Sequence, residues 1–207
     1  MILFLFEGVI LGLSAGISPG PLLTVVISQT LRHGVKEGIR VALAPLVTDL
    51  PIVILSTFAL SRLENFRPLL GLISLVGGLF LFYLAYGSFQ TRRFDGGVRD
   101  SKPQSLSKGI VVNVLSPHPY LFWISVGAPI VAKVWTDSPM AAILFVLVFY
   151  ACLVGSKIGL AILAGESRPL LLGRAYGHIM RVLGFLLLIF AFLLFRDGIK
   201  LLGLLRS

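Results

Sequence analysis

The chain has 207 residues, 57% of them apolar and 13% charged, with a formal net charge of +9. Soluble domains carry about a quarter charged residues, so this composition excludes an ordinary soluble fold and points to an integral membrane protein. At roughly 20 residues per helical span, the length holds about six membrane helices and leaves no room for a sizeable soluble domain. The cations lie between apolar runs, where their meaning is topological, so no nucleic-acid partner is expected.

The chain opens on Met1-Ile2-Leu3-Phe4, without the basic region and small-residue cleavage site of a signal peptide, and is read as the start of the first helix. That first span covers about residues 2–31 and is interrupted by Ser18-Pro19-Gly20-Pro21. A proline inside a helix withholds an N–H from residue i−4 and clashes with its carbonyl. The carbonyls of Ala15 and Ile17 are therefore expected to lack donors. A basic, glycine-flanked turn is predicted over residues 32–38. The second span, residues 39–60, contains Pro45, Asp49 and Pro51, so its middle should be irregular. The third, residues 69–89, has no ionisable residue and reads as scaffold.

Residues 91–108 form the one long polar stretch and are predicted to be a flexible linker. The fourth span, residues 109–131, carries Asn113 and a second break, Ser116-Pro117-His118-Pro119, which should free the carbonyls of Asn113 and Leu115. The fifth, residues 139–163, carries Lys157; a polar turn over residues 165–177 leads to the sixth, residues 179–195.

Three spans followed by three spans place the second half upside down relative to the first. The predicted fold is an all-α integral membrane protein of six transmembrane helices in two inverted three-helix repeats, residues 1–90 and 109–207, joined by a cytoplasmic linker over 91–108. The first and fourth helices are broken. Unwound backbone at membrane depth survives only against protein or a watery cavity, and breaks at matching places in two halves mark the substrate site of a transporter. Two ordinary proline kinks are the plainer alternative.

Connections one, three and five hold eleven Lys and Arg, the opposite side six. The positive-inside rule then puts both termini outside the cytoplasm of a cell inner membrane.

Asp49 falls about ten residues, or about 15 Å at helical rise, into its span. A carboxylate near mid-bilayer is costly and is a functional candidate by default, here as a proton carrier; the plainer reading is a buried partner of Lys157. Lys157 can bind a substrate carboxylate, pair with Asp49, or snorkel toward the cytoplasmic end of its helix. Asn113 can satisfy a freed carbonyl, reach a substrate ammonium group or make an interhelical hydrogen bond. His118 can titrate near neutral pH as a second proton-coupling residue, or simply fill space. Ser14, Ser18, Thr24, Thr48 and Ser116 can offer hydroxyls to unwound backbone or act as local caps. Cys152 is alone, which rules out an internal disulfide or a thiol–disulfide carrier. His33, His118 and His178 lack metal-ligand spacing, so no metal and no cofactor is expected. Gly71, Gly77 and Gly78 can support helix contacts, and a homo-oligomer is left open.

Several runs together resemble the lysine exporter family, the LysE/RhtB-type amino-acid exporters. They are Gly16-Ile17-Ser18-Pro19-Gly20-Pro21, Gly34-Val35-Lys36-Glu37-Gly38, Ala44-Pro45-Leu46-Val47-Thr48-Asp49, Asn113-Val114-Leu115-Ser116-Pro117 and Gly155-Ser156-Lys157, with Gly184 and Gly198 closing the chain. The resemblance covers nearly the whole chain. It implies a secondary transporter, not an enzyme, exporting amino acids or related small metabolites and driven by the proton gradient. It also implies that Pro19, Gly20, Pro21, Asp49, Asn113 and Pro117 stand at characteristic positions. His118 and Pro119 depart from many relatives, so no particular substrate is implied. The expected site comprises Ser18, Pro19, Gly20, Pro21, Asn113, Ser116, Pro117 and Lys157 around a small zwitterion, with Asp49 and His118 handling protons. The rival is an inorganic-cation transporter, which should show several intramembrane acids.

Overall fold

Helices in this chain begin and end where proline and glycine dictate. The computed structural model describes residues 2–59, 63–89, 104–167 and 174–203. Helix α1 (Ile2–Ile17) stops ahead of Pro19, and α2 (Pro21–His33) starts on Pro21. A proline in the first helical position costs nothing, because its N–H would have no intrahelical partner. The two helices meet at 60°, with Gly20 extended between them. The turn expected over residues 32–38 shrinks to one residue. Arg32 and His33 complete α2, Gly34 adopts φ 100°, a region that favours glycine, and α3 (Val35–Ala42) follows at once.

A further break, at Leu43, separates α3 from α4 (Ala44–Ala59). Pro45 has no N–H to give to Val41, so the predicted second span is interrupted near its start, not its middle. Helix α5 (Leu63–Phe89) continues past Pro68. Of the predicted linker, residues 91–103 lie outside the described residues; the remainder is corrected, because α6 (Ser105–Val114) already contains Lys108. The start of α6 is pinned to α2 by the Ser105 hydroxyl, which donates to Gln29 Oε1 at 3.1 Å.

The second break differs in register from the first. Helix α7 (Pro117–Phe122) restarts on the first proline of its pair, whereas α2 restarts on the second. Pro119 then falls within the first turn, where backbone donors are unpaired in any helix. The bend is 51°. A π-helical turn, Trp123–Gly127, leads into α8 (Ala128–Asp137). Pro129 explains the widening: it has no N–H with which to close an α-helical bond onto Ser125. Ser138 caps α9 (Pro139–Glu166) by accepting from the Ala141 N–H at 3.3 Å. Of the polar turn expected over 165–177, the first two residues belong to α9 and the last four to α10 (Arg174–Leu201), while residues 168–173 lie outside the described residues.

Among the described residues, three helical stretches are long and apolar enough to cross a bilayer: Pro68–Tyr86, Pro139–Glu166 and His178–Leu201. The bent pairs α1/α2 and α6/α7–α8 qualify as two more if each is one broken span. No strand occurs among the described residues.

Close backbone contact sets the packing. On α1, Gly8, Gly12 and Gly16 recur every four residues and face α9. A Cβ on Gly12 would stand 2.4 Å from the Phe149 carbonyl oxygen, and one on Gly16 2.7 Å from that of Leu153. Small residues at helical spacing let membrane helices approach in this way. Gly71 and Gly78 serve α5 against α10, and Gly77 receives the Leu115 carbonyl at the second break. All three glycines are thus engaged within the chain. Helix α5 packs along α10, α1 along α9, and α4 against α6, α7 and the π-helical turn.

Candidate functional site

The unwound segments do not face outward at random. Both breaks border one cavity of about 230 Å³, which Asp49, Asn113 and Lys157 also line. From the first break it takes Ser18, Pro19, Gly20 and Pro21; from the second, Ser116, His118 and Pro119. Pro117 is the exception among the predicted site residues. It is buried at the start of α7 but does not line the cavity.

Asp49, sixth residue of α4, is 4% exposed and its two oxygens are held from the second half of the chain. The Asn113 amide donates to Asp49 Oδ1 at 2.6 Å and to the Thr48 hydroxyl at 2.7 Å. The Tyr150 hydroxyl donates to Asp49 Oδ2 at 3.1 Å. Thr48 lies 3.1 Å from Asp49 Oδ1 and 3.0 Å from the Ala44 carbonyl. With one hydroxyl hydrogen, it serves one acceptor at a time. Asn113 has two N–H groups and can satisfy both of its acceptors at once. The arrangement makes α4, α6 and α9 share one carboxylate; a proton on Asp49 Oδ1 would force the Asn113 and Thr48 bonds to re-sort, and one on Oδ2 would turn the Tyr150 hydroxyl from donor to acceptor.

Lys157 lines the cavity with the other expected site residues, but its hydrogen bonds go to backbone and not to Asp49. Its ammonium donates to the carbonyl oxygens of Gly16 at 3.0 Å and Ala15 at 3.3 Å, and the residue is 5% exposed. It neither snorkels nor hydrogen-bonds Asp49. The reason lies in α1: Pro19 cannot supply the donor that Ala15 would receive in a continuous helix, and the C-terminal end of a helix carries partial negative charge. A buried cation from α9 supplies what the proline withholds. At the second break the freed groups find other partners. The Tyr120 hydroxyl donates to the Val114 carbonyl at 3.1 Å, and the Ser116 N–H reaches the Asn113 carbonyl at 3.3 Å.

The Ser116 hydroxyl lies 3.1 Å from His118 Nδ1, and His118 is exposed at the cavity's edge. Thr24 donates its hydroxyl to the Gly20 carbonyl at 2.9 Å, a local cap. The N–H groups of Leu22 and Leu23 fall in the first turn of α2, where no intrahelical acceptor exists, and both residues line the cavity. The positive end of the α2 dipole therefore points there.

An aromatic wall completes the site. Phe122 and Phe149 stack at 5.1 Å between centroids, and Trp123 meets Phe149 edge-on at 5.7 Å. All three line the cavity. Sequence reasoning missed Tyr150 and this wall. Tyr150 had one signal: it lies seven residues, two helical turns, before Lys157 and so shares its face. The aromatic residues had none, being apolar positions in an apolar chain. Among the described residues no group of three or more His, Cys, Asp and Glu is placed to hold a metal ion.

Residues 13–198 match the family described as LysE type translocator. Searches of curated proteins and of solved structures return no match to the chain.

Proposed function

Because the chain belongs to the LysE type translocator family, we propose that it is a secondary exporter of amino acids or related small zwitterionic metabolites, coupled to protons and working by alternating access. Family membership and the apolar helices make it a multi-pass membrane protein of a transporter family. The observation that carries the finer reading is the convergence of two helix breaks and a buried carboxylate on one cavity. Its volume, about 230 Å³, lies below the roughly 300–1,000 Å³ of drug-sized sites and suits a small metabolite. The Leu22 and Leu23 N–H groups at the positive end of α2 would bind a carboxylate. Asp49 and the open carbonyl of the Asn113 amide would receive an ammonium group, and the Phe122–Phe149 wall an apolar side chain.

The packing pattern supports an inverted repeat. Under exchange of spans one and four, two and five, and three and six, the α1–α9 contact becomes that of α6 with α3 and α4, while α5–α10 maps onto itself. Alternation would then rock one half against the other around Asp49, which gains and loses its proton as the cavity opens to either side.

The test is a metabolite comparison of cells with and without the protein, each challenged with amino-acid and dipeptide panels. Depletion of one zwitterionic compound from expressing cells, lost in Asp49→Asn, is expected. No such depletion, together with an unaltered Asp49→Asn, would sink the proposal; efflux of an inorganic cation instead would favour the rival reading. Tags on both termini are expected to label from outside the cytoplasm.

A further inference from the structure

A second cavity, of about 220 Å³, lies apart from the first near the ends of α2 and α5 and the start of α6. Two cations line it, Arg32 from α2 and Lys108 from α6. Their meeting is set by the fold. Ser105 on α6 hydrogen-bonds Gln29 on α2 at 3.1 Å, and each cation follows its residue of this pair by three positions, hence on the same helix face. The Ser105–Gln29 bond thus brings two like charges, 76 residues apart, to one hollow. Two cations lining one hollow give it a positive potential that attracts an anion. Gln29 and Ser88, both buried, add polar groups to the lining.

The mouth of this cavity identifies the anion. Tyr83 and Tyr86 of α5 line it and are 68% and 63% exposed. They continue a single exposed stripe along α5, Leu72, Val76, Leu79, Tyr83 and Tyr86, spaced alternately four and three residues. In a multi-pass membrane protein such a face meets lipid, and tyrosines gather at the level of the headgroups. From Tyr83 back to Leu72 the stripe rises about 16 Å, about half of the roughly 30 Å hydrocarbon core. That is the reach of acyl chains in one leaflet.

We propose that the second cavity holds the phosphate of an anionic glycerophospholipid between Arg32 and Lys108, with the acyl chains lying on the α5 stripe. Basic pockets between transmembrane helices recognise headgroups in this way. The proposal is independent of the substrate reading and of which side of the membrane the cavity faces.

The purified full-length protein is reconstituted into vesicles of phosphatidylcholine alone or mixed with phosphatidylglycerol. The thermal unfolding midpoint and the lipid retained after delipidation, read by mass spectrometry, are compared. Phosphatidylglycerol is expected to raise the midpoint and to be retained in preference to phosphatidylcholine. The double variant Arg32→Gln/Lys108→Gln is expected to retain it about thirtyfold less tightly, from about two cation contacts with the headgroup. Lys36→Gln/Arg181→Gln removes the same charge from exposed positions and should behave as wild type. Equal midpoints for wild type in the two lipids would overturn the proposal, whatever the folding of the variants. So would equal loss in both double variants, which would mean diffuse attraction. A midpoint rise of the same size with inorganic phosphate in phosphatidylcholine vesicles would assign the cavity to free phosphate and overturn the lipid.

Discussion

The α1–α9 contact offers the sharpest quantitative test, through Gly12→Ala. The added Cβ would lie 2.4 Å from the Phe149 carbonyl oxygen, 2.9 Å from Cys152 Cβ and 3.1 Å from Phe149 Cα. Two of these three atoms are backbone, so no side-chain rotation relieves the clash. Ordinary contact begins near 3.4 Å, and α1 must therefore retreat by about 1 Å, an overpacking cost of about 1–3 kcal/mol. The retreat carries Gly16 with it. Its carbonyl, now 3.0 Å from the Lys157 ammonium, moves beyond hydrogen-bonding range, and a bond to a charged donor is worth about 1.5–3 kcal/mol. A combined loss on the order of 3 kcal/mol is expected. Unfolding of purified protein in detergent, followed by denaturant titration, measures it. Gly155→Ala and Gly159→Ala are the controls. They sit on α9 with nothing within 4 Å of a new Cβ, and should be neutral or stabilise by up to about 1 kcal/mol, as alanine does in a helix. If Gly12→Ala matches these controls, the close approach does not hold the helices as described.

Other perturbations separate the roles within the cavity. Asn113→Ala should cost about 2–4 kcal/mol in the wild-type background, from one charge-assisted and one neutral hydrogen bond, and clearly less beside Asp49→Asn. Equal costs in a double-mutant cycle would mean that the two side chains are not coupled. Tyr150→Phe should lower stability by about 1.5–3 kcal/mol, since its hydroxyl donates to the same carboxylate, and slow export more than Phe122→Leu at saturating substrate; unchanged efflux in Tyr150→Phe would remove that hydroxyl from the mechanism. Lys157→Met keeps the stem and leaves two buried carbonyls without donors, so a stability loss of about 2 kcal/mol or more is expected. A variant as stable as wild type yet unable to transport would return Lys157 to the substrate.

What the sequence made legible was local. Pro-x-Pro pairs announce helix breaks because the missing N–H and fixed φ act on the next residue or two, and both bends lie where the prolines stand. Asp49 announced itself by cost alone. Partnerships were illegible for a physical reason: the acceptors of Lys157 are backbone carbonyls, which every residue has, and they lie 141 and 142 residues away. The Gly8-Gly12-Gly16 spacing, by contrast, was readable and passed unremarked beside the louder prolines of the same helix. Pro129 was likewise the available hint for the π-helical turn.

The long reach of Lys157 has a consequence for biosynthesis. The end of α1 is made early, but the ammonium that completes it belongs to a residue 142 positions further on. At about 5–20 residues per second, the ribosome needs on the order of ten seconds to supply it. During that interval α1 carries carbonyls that hydrocarbon cannot solvate. Until α9 arrives, the break at the end of α1 needs water or other protein to cover it, because its own ammonium donor has not yet been made.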